Sequence, residues 1–311
     1  MALFLVTGGG GFIGSHLVEE LLGRGEQVRV LDNFSTGKRE RLAPFADRIE
    51  LVEGDLRSQH TVRQAMRGVD YVLHQGALPS VPRSIEDPIT TNEVNIGGTL
   101  NVLDAAREAG VKRVVFASSS SVYGSGEGMP KREDMLPRPI SPYAVTKLTG
   151  ESYCRVFSET YGLETVALRY FNVFGPGMDP TSAYSAFIAI FIVGMLQGRP
   201  LKVNGDGTIS RDFTYITNIV HANMCAVGAR DAAGRVFNVG CGDSLSLNDI
   251  IARLKQLTAT NGDIQYGPAK AGDLPRSEAD LTAAREVLGY EPLVLAAEGL
   301  ECAVSWYRDN A

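Results

Sequence analysis

Short apolar runs alternate with amphipathic stretches along the first half of the chain. Leu3-Phe4-Leu5-Val6 is apolar throughout, and a glycine tract from Gly8 to Gly11 interrupts it. Ile13, Leu17, Val18, Leu21 and Leu22 then share one face at helical spacing. Further strand-like runs follow at 27–32, 49–52, 71–74, 114–117 and 165–168. Residues 92–109 read as a helix with Val94, Leu100, Val102, Leu103, Ala105 and Ala106 in its apolar stripe, and Gly110 closes it. Strands apolar on both faces, alternating with helices, predict an α/β fold with a parallel, doubly wound sheet. In such a sheet ligands bind at the carboxyl ends of the strands.

Past residue 170 the composition shifts toward turns, which predicts a second, smaller α/β lobe. The expected division is 1–170 for a dinucleotide-binding domain, with return segments near 208–240, and 171–311 for a substrate lobe interleaved with it. Residues 235–239 are expected to rejoin the sheet, and 272–277 to form a loop before a final pair of amphipathic helices. The apolar run 187–196 is about half the length that spans a bilayer, so it is expected to be a buried helix.

Composition narrows the classes. A chain of 311 residues, 44% hydrophobic and 21% charged, suits a soluble globular protein with a large core. Its net charge of −6 argues against a nucleic-acid surface. Cys154, Cys225, Cys241 and Cys302 lie far apart, which favours free, buried thiols in a reducing compartment. Neither they nor His16, His60, His74 and His221 form a metal-ligand motif, so no metal is expected. No basic segment precedes an apolar N-terminal run, and a cytoplasmic location without membrane attachment is the expectation.

Candidate chemistry concentrates at three places. Gly8, Gly11 and Gly14 follow the first strand at intervals of three: one for the turn, one for close approach of a pyrophosphate, one for helix packing. The helix they open directs free N–H groups at a phosphate. Asp32 ends the second strand 18 residues after Gly14, near the interval of the acid that holds the adenosine ribose hydroxyls. A carboxylate there favours NAD over NADP, although Lys38 and Arg39 follow closely. Ser141 caps a helix with Pro142 in its first turn, and Tyr143 and Lys147 fall on one face of it. Tyr143 comes 24 residues after Ser119 in the serine run that ends the fifth strand.

The Gly-x-x-Gly-x-x-Gly spacing, the serine run and the Tyr-x-x-x-Lys pair resemble extended short-chain dehydrogenase/reductases. Within them the chain resembles the UDP-glucose/UDP-N-acetylglucosamine 4-epimerase family, over essentially its whole length. The resemblance implies a Rossmann domain binding NAD through Gly8, Gly11, Phe12, Ile13, Gly14, Asp32, Asn33, Asp55, Leu56, Gln75, Ala77, Asn95, Tyr143 and Lys147. It implies Tyr143 as acid/base, Lys147 on the nicotinamide ribose, and Ser119 on the sugar 4-oxygen. Ser80, Asn172, Arg211, Lys270 and Asp273 would hold the UDP-sugar, and Ser277 would lie beside the sugar 2-substituent. Many relatives have Arg at the position of Lys270, which trades a bidentate fork for a point charge; Arg276 is then expected to compensate.

The implied activity interconverts UDP-GlcNAc with UDP-GalNAc, and UDP-Glc with UDP-Gal, through a transient 4-keto sugar. A small serine at 277 leaves room for an N-acetyl group. Related 4,6-dehydratases and decarboxylases carry acids two, or two and three, positions before the tyrosine matching Tyr123; this chain has Ser120 and Ser121 there. A homodimer through the helices at 92–109 and 143–160 is also implied. Two rivals remain: a reductase of a nucleotide-sugar or small ketone that releases NAD(P)H each turnover, and a non-catalytic NAD-sensing module. Retention of NAD without added reductant argues against the first, and the Tyr-Lys pair against the second. A tyrosine ordinarily titrates near 10, so the neighbouring lysine and the nicotinamide charge are expected to bring Tyr143 down.

Overall fold

The computed structural model describes residues 1–180, 187–260, 262–269 and 275–310. Its centre is a seven-stranded parallel sheet: β1 (Leu3–Thr7), β2 (Gln27–Asp32), β3 (Ile49–Glu53), β4 (Tyr71–His74), β5 (Arg113–Ser119), β6 (Glu164–Tyr170) and β7 (Arg235–Val239). They lie in the order β3-β2-β1-β4-β5-β6-β7, so the strand order reverses between β1 and β4. A doubly wound sheet opens its ligand crevice at that reversal.

Alternate residues of each strand feed two cores. Phe4 and Val6 pack with Leu17, Val18 and Leu21 of α1 (Phe12–Gly23) on one face. Leu5, Leu31, Val72, Val114 and Phe116 pack on the other face with Val62 of α2 (Gln59–Ala65), Val102 and Leu103 of α3 (Gly98–Ala109), and Cys154 and Phe157 of α4 (Pro142–Tyr161). Both faces are covered, as runs without apolar–polar alternation require.

The rejoining strand is observed: Arg235–Val239 pairs in parallel with β6. The 187–196 run is helix α5 (Phe187–Leu196), buried over most of its length. With α7 (Leu247–Thr258) and α8 (Ala296–Asn310) it packs in the same core that covers the α1 side of the sheet, and α6 (Ile216–Gly228) lies between. No described helix is long and apolar enough to cross a membrane.

Four expectations are corrected. The 92–109 helix is not one regular element, because a π-type turn over Glu93–Gly97 separates Pro88–Asn92 from α3. Arg276–Ser277 is strand rather than loop, paired with Ser210–Arg211. The final helical pair reduces to one π-type turn at Ala284–Leu288 followed by α8. The four cysteines are free, yet Cys225 is half-buried and Cys302 exposed.

Candidate active site

The glycine turn is built around forbidden side chains. Gly8 adopts φ +70°, and a Cβ there would lie 2.8 Å from the Gly76 backbone. At Gly14 a Cβ would lie 2.1 Å from the Gly8 carbonyl oxygen. Each glycine therefore permits one close approach: β1 against the loop after β4, and α1 against the turn that precedes it. Gly11 is the N-cap of α1, and no side chain caps that first turn. Its backbone donors are left to an anion, as a phosphate cradle requires.

A cavity of about 600 Å³ opens beside this turn, within the usual range for cofactor sites. Of the residues expected to hold a dinucleotide, Gly8, Gly11, Phe12, Ile13, Gly14, Asp32, Asn33, Asp55, Leu56, Gln75, Ala77, Tyr143 and Lys147 line it, and so does Ser80. Asp32 is oriented by backbone: Gly10 N–H donates to Oδ2 at 2.8 Å and Phe34 N–H to Oδ1 at 2.7 Å. A carboxylate has about four lone-pair sites, so acceptor capacity remains for ribose hydroxyls. Asp55 accepts from Asn33 at 3.0 Å, and Arg57 holds its carboxyl down at about 2.

Asn95 is the exception. It is buried but does not line the cavity. Its Oδ1 accepts from Leu78 N–H at 2.7 Å, and its Nδ2 donates to Thr146 Oγ1 at 3.1 Å. It braces the loop that carries Gln75 and Ala77, from the π-type turn, rather than facing a ligand.

The cavity rim holds residues that sequence reasoning missed. Arg41 donates to the Gly10 carbonyl at 3.2 Å and to the Gly177 carbonyl at 2.7 Å. Lys38 pairs with Asp179 at 2.6 Å, and both line the cavity. Arg39 turns away to Glu53 at 2.6 Å. The basic run after Asp32 was the available signal, read then only as a question about NADP.

At the far end α4 presents its catalytic face. Ser141 Oγ accepts from Ala144 N–H at 3.2 Å, and Pro142 occupies the first turn. Tyr143 and Lys147 follow one turn apart, with the amine 5.9 Å from the phenol ring centre. Lys147 Nζ donates to the Ala117 carbonyl at 2.7 Å. Ser119, at the end of β5, accepts from Ser121 N–H at 3.2 Å and hydrogen-bonds Tyr143.

The direction expected for Tyr143 is corrected. Burial pushes the phenol up to about 12, and the Ser119 hydrogen bond only partly opposes it. The amine does not reverse this because it is bonded to Ala117 and is itself pushed down to about 8 by burial.

Asn172, Arg211 and Ser277 gather elsewhere, around Asp212. Asn172 Nδ2 donates to the Asp212 carbonyl at 3.1 Å, Asp212 N–H donates to the Ser277 carbonyl at 2.7 Å, and Ser277 is the register partner of Arg211. The buried Asp212 carboxylate accepts from the N–H groups of Cys241, Gly242 and Ala279 at 2.8, 3.0 and 3.2 Å. Burial raises it to about 6 despite these bonds. Sequence reasoning quoted Ser210–Phe213 yet assigned Asp212 no part. Lys270 and Asp273 lie outside the described residues. Arg276 is held by Glu278, which weakens its case as the substitute phosphate ligand.

The family model for the NAD dependent epimerase/dehydratase family matches residues 4–240. The UDP-glucose 4-epimerase of Mycolicibacterium smegmatis is 38% identical over 311 residues, 99% of each chain. A UDP-N-acetylglucosamine 4-epimerase from Methanobrevibacter ruminantium, solved with UDP-N-acetylmuramic acid, superposes with TM-score 0.95 at 36% identity over 100% of this chain and 99% of that one. The UDP-glucose 4-epimerase of Thermus thermophilus, solved with NAD, gives 0.90 at 36% identity over 99% and 100%. A model spanning the sheet and relatives matched from end to end agree with the cavity's geometry: this chain belongs to the NAD dependent epimerase/dehydratase family, whose cofactor is NAD.

Proposed function

We propose that this enzyme is an NAD-dependent UDP-sugar 4-epimerase acting on UDP-GlcNAc/UDP-GalNAc and on UDP-Glc/UDP-Gal. The carrying observation is the buried Tyr143–Lys147 pair, hydrogen-bonded to Ser119, at the end of the cavity that the glycine turn opens. NAD, when bound, accepts a hydride from sugar C4 and returns it to the opposite face. Tyr143 takes the 4-hydroxyl proton and later restores it. Ser119 hydrogen-bonds the phenol and the sugar oxygen, keeping the two within transfer distance. Lys147 contributes a cation beside the phenol, opposing the upward push of burial. The 4-keto sugar swings about its link to UDP between the two transfers, with Asn172, Arg211 and Ser277 as the proposed contacts on the UDP-sugar side.

Ser120 and Ser121 favour this reading over dehydration or decarboxylation. They form the turn after β5, where a proton donor for water loss would stand, and a hydroxyl serves that step poorly. A reductase would consume reduced cofactor at each turnover. Incubating the purified protein with UDP-Glc or UDP-GlcNAc, without added reductant, should give the C4 epimer by NMR, with NAD still bound. Product formation only in step with added NADH would reject the proposal.

Ser277→Tyr should reduce turnover of the acetylated pair by about 10–200-fold, the range a pocket contact commands, while UDP-Glc turnover holds. Equal loss on both pairs would remove Ser277 from the sugar's 2-substituent. The proposed partner is a second copy meeting α3 and α4, because Val145 and Val156 stand 46% and 42% exposed on α4. Light scattering should give twice the chain mass, and Val145→Glu/Val156→Glu should halve it.

A further inference from the structure

Behind the tyrosine–lysine pair lies a buried ion pair that the proposed reaction leaves without a role. Glu151 and Arg169 are 5% and 3% exposed. Arg169 Nε donates to Glu151 Oε1 at 2.9 Å and Nη2 to Oε2 at 2.8 Å. Ser118 Oγ, beside the cavity, adds a third bond to Oε1 at 2.5 Å. The guanidinium sits 4.6 Å from the Tyr123 ring centre, so it too is fixed. Taking two charges out of water costs about as much as their attraction returns, so stability alone is a poor reason for this pair.

Its placement suggests another. Tyr143, Lys147 and Glu151 occupy successive turns of one face of α4, and the last two are buried together on it. We propose that Glu151 is a positioning residue that keeps Lys147 cationic, its carboxylate held one turn away by Arg169 and Ser118. The proposal rests on Lys147 acting on the cofactor and the phenol as described above.

The surroundings of Lys147 support it. From its own helix the amine faces Tyr143, Glu151 and Cys154; from β4 it faces His74, and from β5 the Phe116 ring and the Ala117 carbonyl. Burial holds the Cys154 thiol neutral by pushing it up and His74 neutral by pushing it down to about 3. Among these groups Glu151 carries the formal negative charge. It is the largest influence opposing the burial that brings Lys147 to about 8.

Glu151→Gln leaves Arg169 buried without a counter-charge and endangers folding. The test therefore also uses the Glu151→Gln/Arg169→Met double variant, which removes both charges. Glu151→Asp serves as the conservative rescue. In ¹³C-lysine-labelled protein the Lys147 Cε signal, assigned by its loss in Lys147→Met, reports the amine directly. The midpoint should lie near 8 in the wild type and the Asp variant, and about one pH unit lower in the double variant.

An amine loses its proton as pH rises, so the kinetic defect should be alkaline. The wild-type to double-variant ratio of kcat should rise from near one below about pH 6 to about tenfold above pH 9. An unchanged Lys147 midpoint in a folded double variant overturns the proposal. A shifted midpoint in a protein that fails to epimerise any UDP-sugar would overturn the functional reading and leave the charge assignment standing.

Discussion

Tyr143→Phe should lower kcat for sugar inversion by about 10²–10⁴-fold, the range contributed by a positioned acid–base group. The side chain is fully buried, and the substitution removes one oxygen without changing the ring's packing. The hydrogen bond lost is the one with Ser119; Lys147 keeps its bond to Ala117. The fold, the cavity and NAD retention should therefore survive. KM should change little, because the hydroxyl acts in the proton transfer more than in ground-state binding. Kinetics with UDP-Glc, paired with NAD content after purification, checks both parts. A variant that inverts sugar at the wild-type rate would remove Tyr143 from the chemistry.

Gly14→Ala should strip the cofactor from the protein. A methyl placed 2.1 Å from the Gly8 carbonyl oxygen cannot be accommodated by rotating a side chain, since every atom it meets is backbone. Either α1 retreats from the turn or the turn opens. Both carry the phosphate-facing donors of the first helical turn away from Gly8 and Gly11. Bound NAD should fall at least tenfold, and the unfolding free energy should drop by about 1–3 kcal/mol, the usual cost of overpacking. Gly23→Ala, in the same helix, is the control: a Cβ there meets nothing within 4 Å, so NAD content should be unchanged. NAD released on denaturation, measured for both variants, decides the matter.

What could be read before the structure was local. The parallel strands were visible because strands buried on both faces are apolar throughout, as in Leu3–Thr7 and Arg113–Ser119. The glycine turn and the tyrosine–lysine pair were visible because their geometry depends on spacings of three and four residues. What escaped depends on distant parts of the chain meeting. Arg41 reaches Gly177 across 136 positions, and no periodicity records that contact. Asp212 reads as one acid in a polar stretch until Cys241, Gly242 and Ala279 bring their N–H groups to it. Asn95 carried a family position but not its means of action, since the π-type turn over Glu93–Gly97 leaves no mark in an apolar stripe. The direction of Tyr143 failed for the same reason. A lysine one turn away is legible, but the burial that outweighs it comes from the whole fold.

The most direct test follows one atom. UDP-Glc deuterated at sugar C4, mixed with unlabelled UDP-GlcNAc and excess free NADH in ordinary water, is converted by the purified protein, and both products are examined at C4 by NMR and mass spectrometry. If the enzyme lends and reclaims a single hydride, the UDP-Gal keeps its full deuterium label and the UDP-GalNAc gains none. Deuterium lost to water, found in the second sugar or diluted from the added NADH would contradict the account.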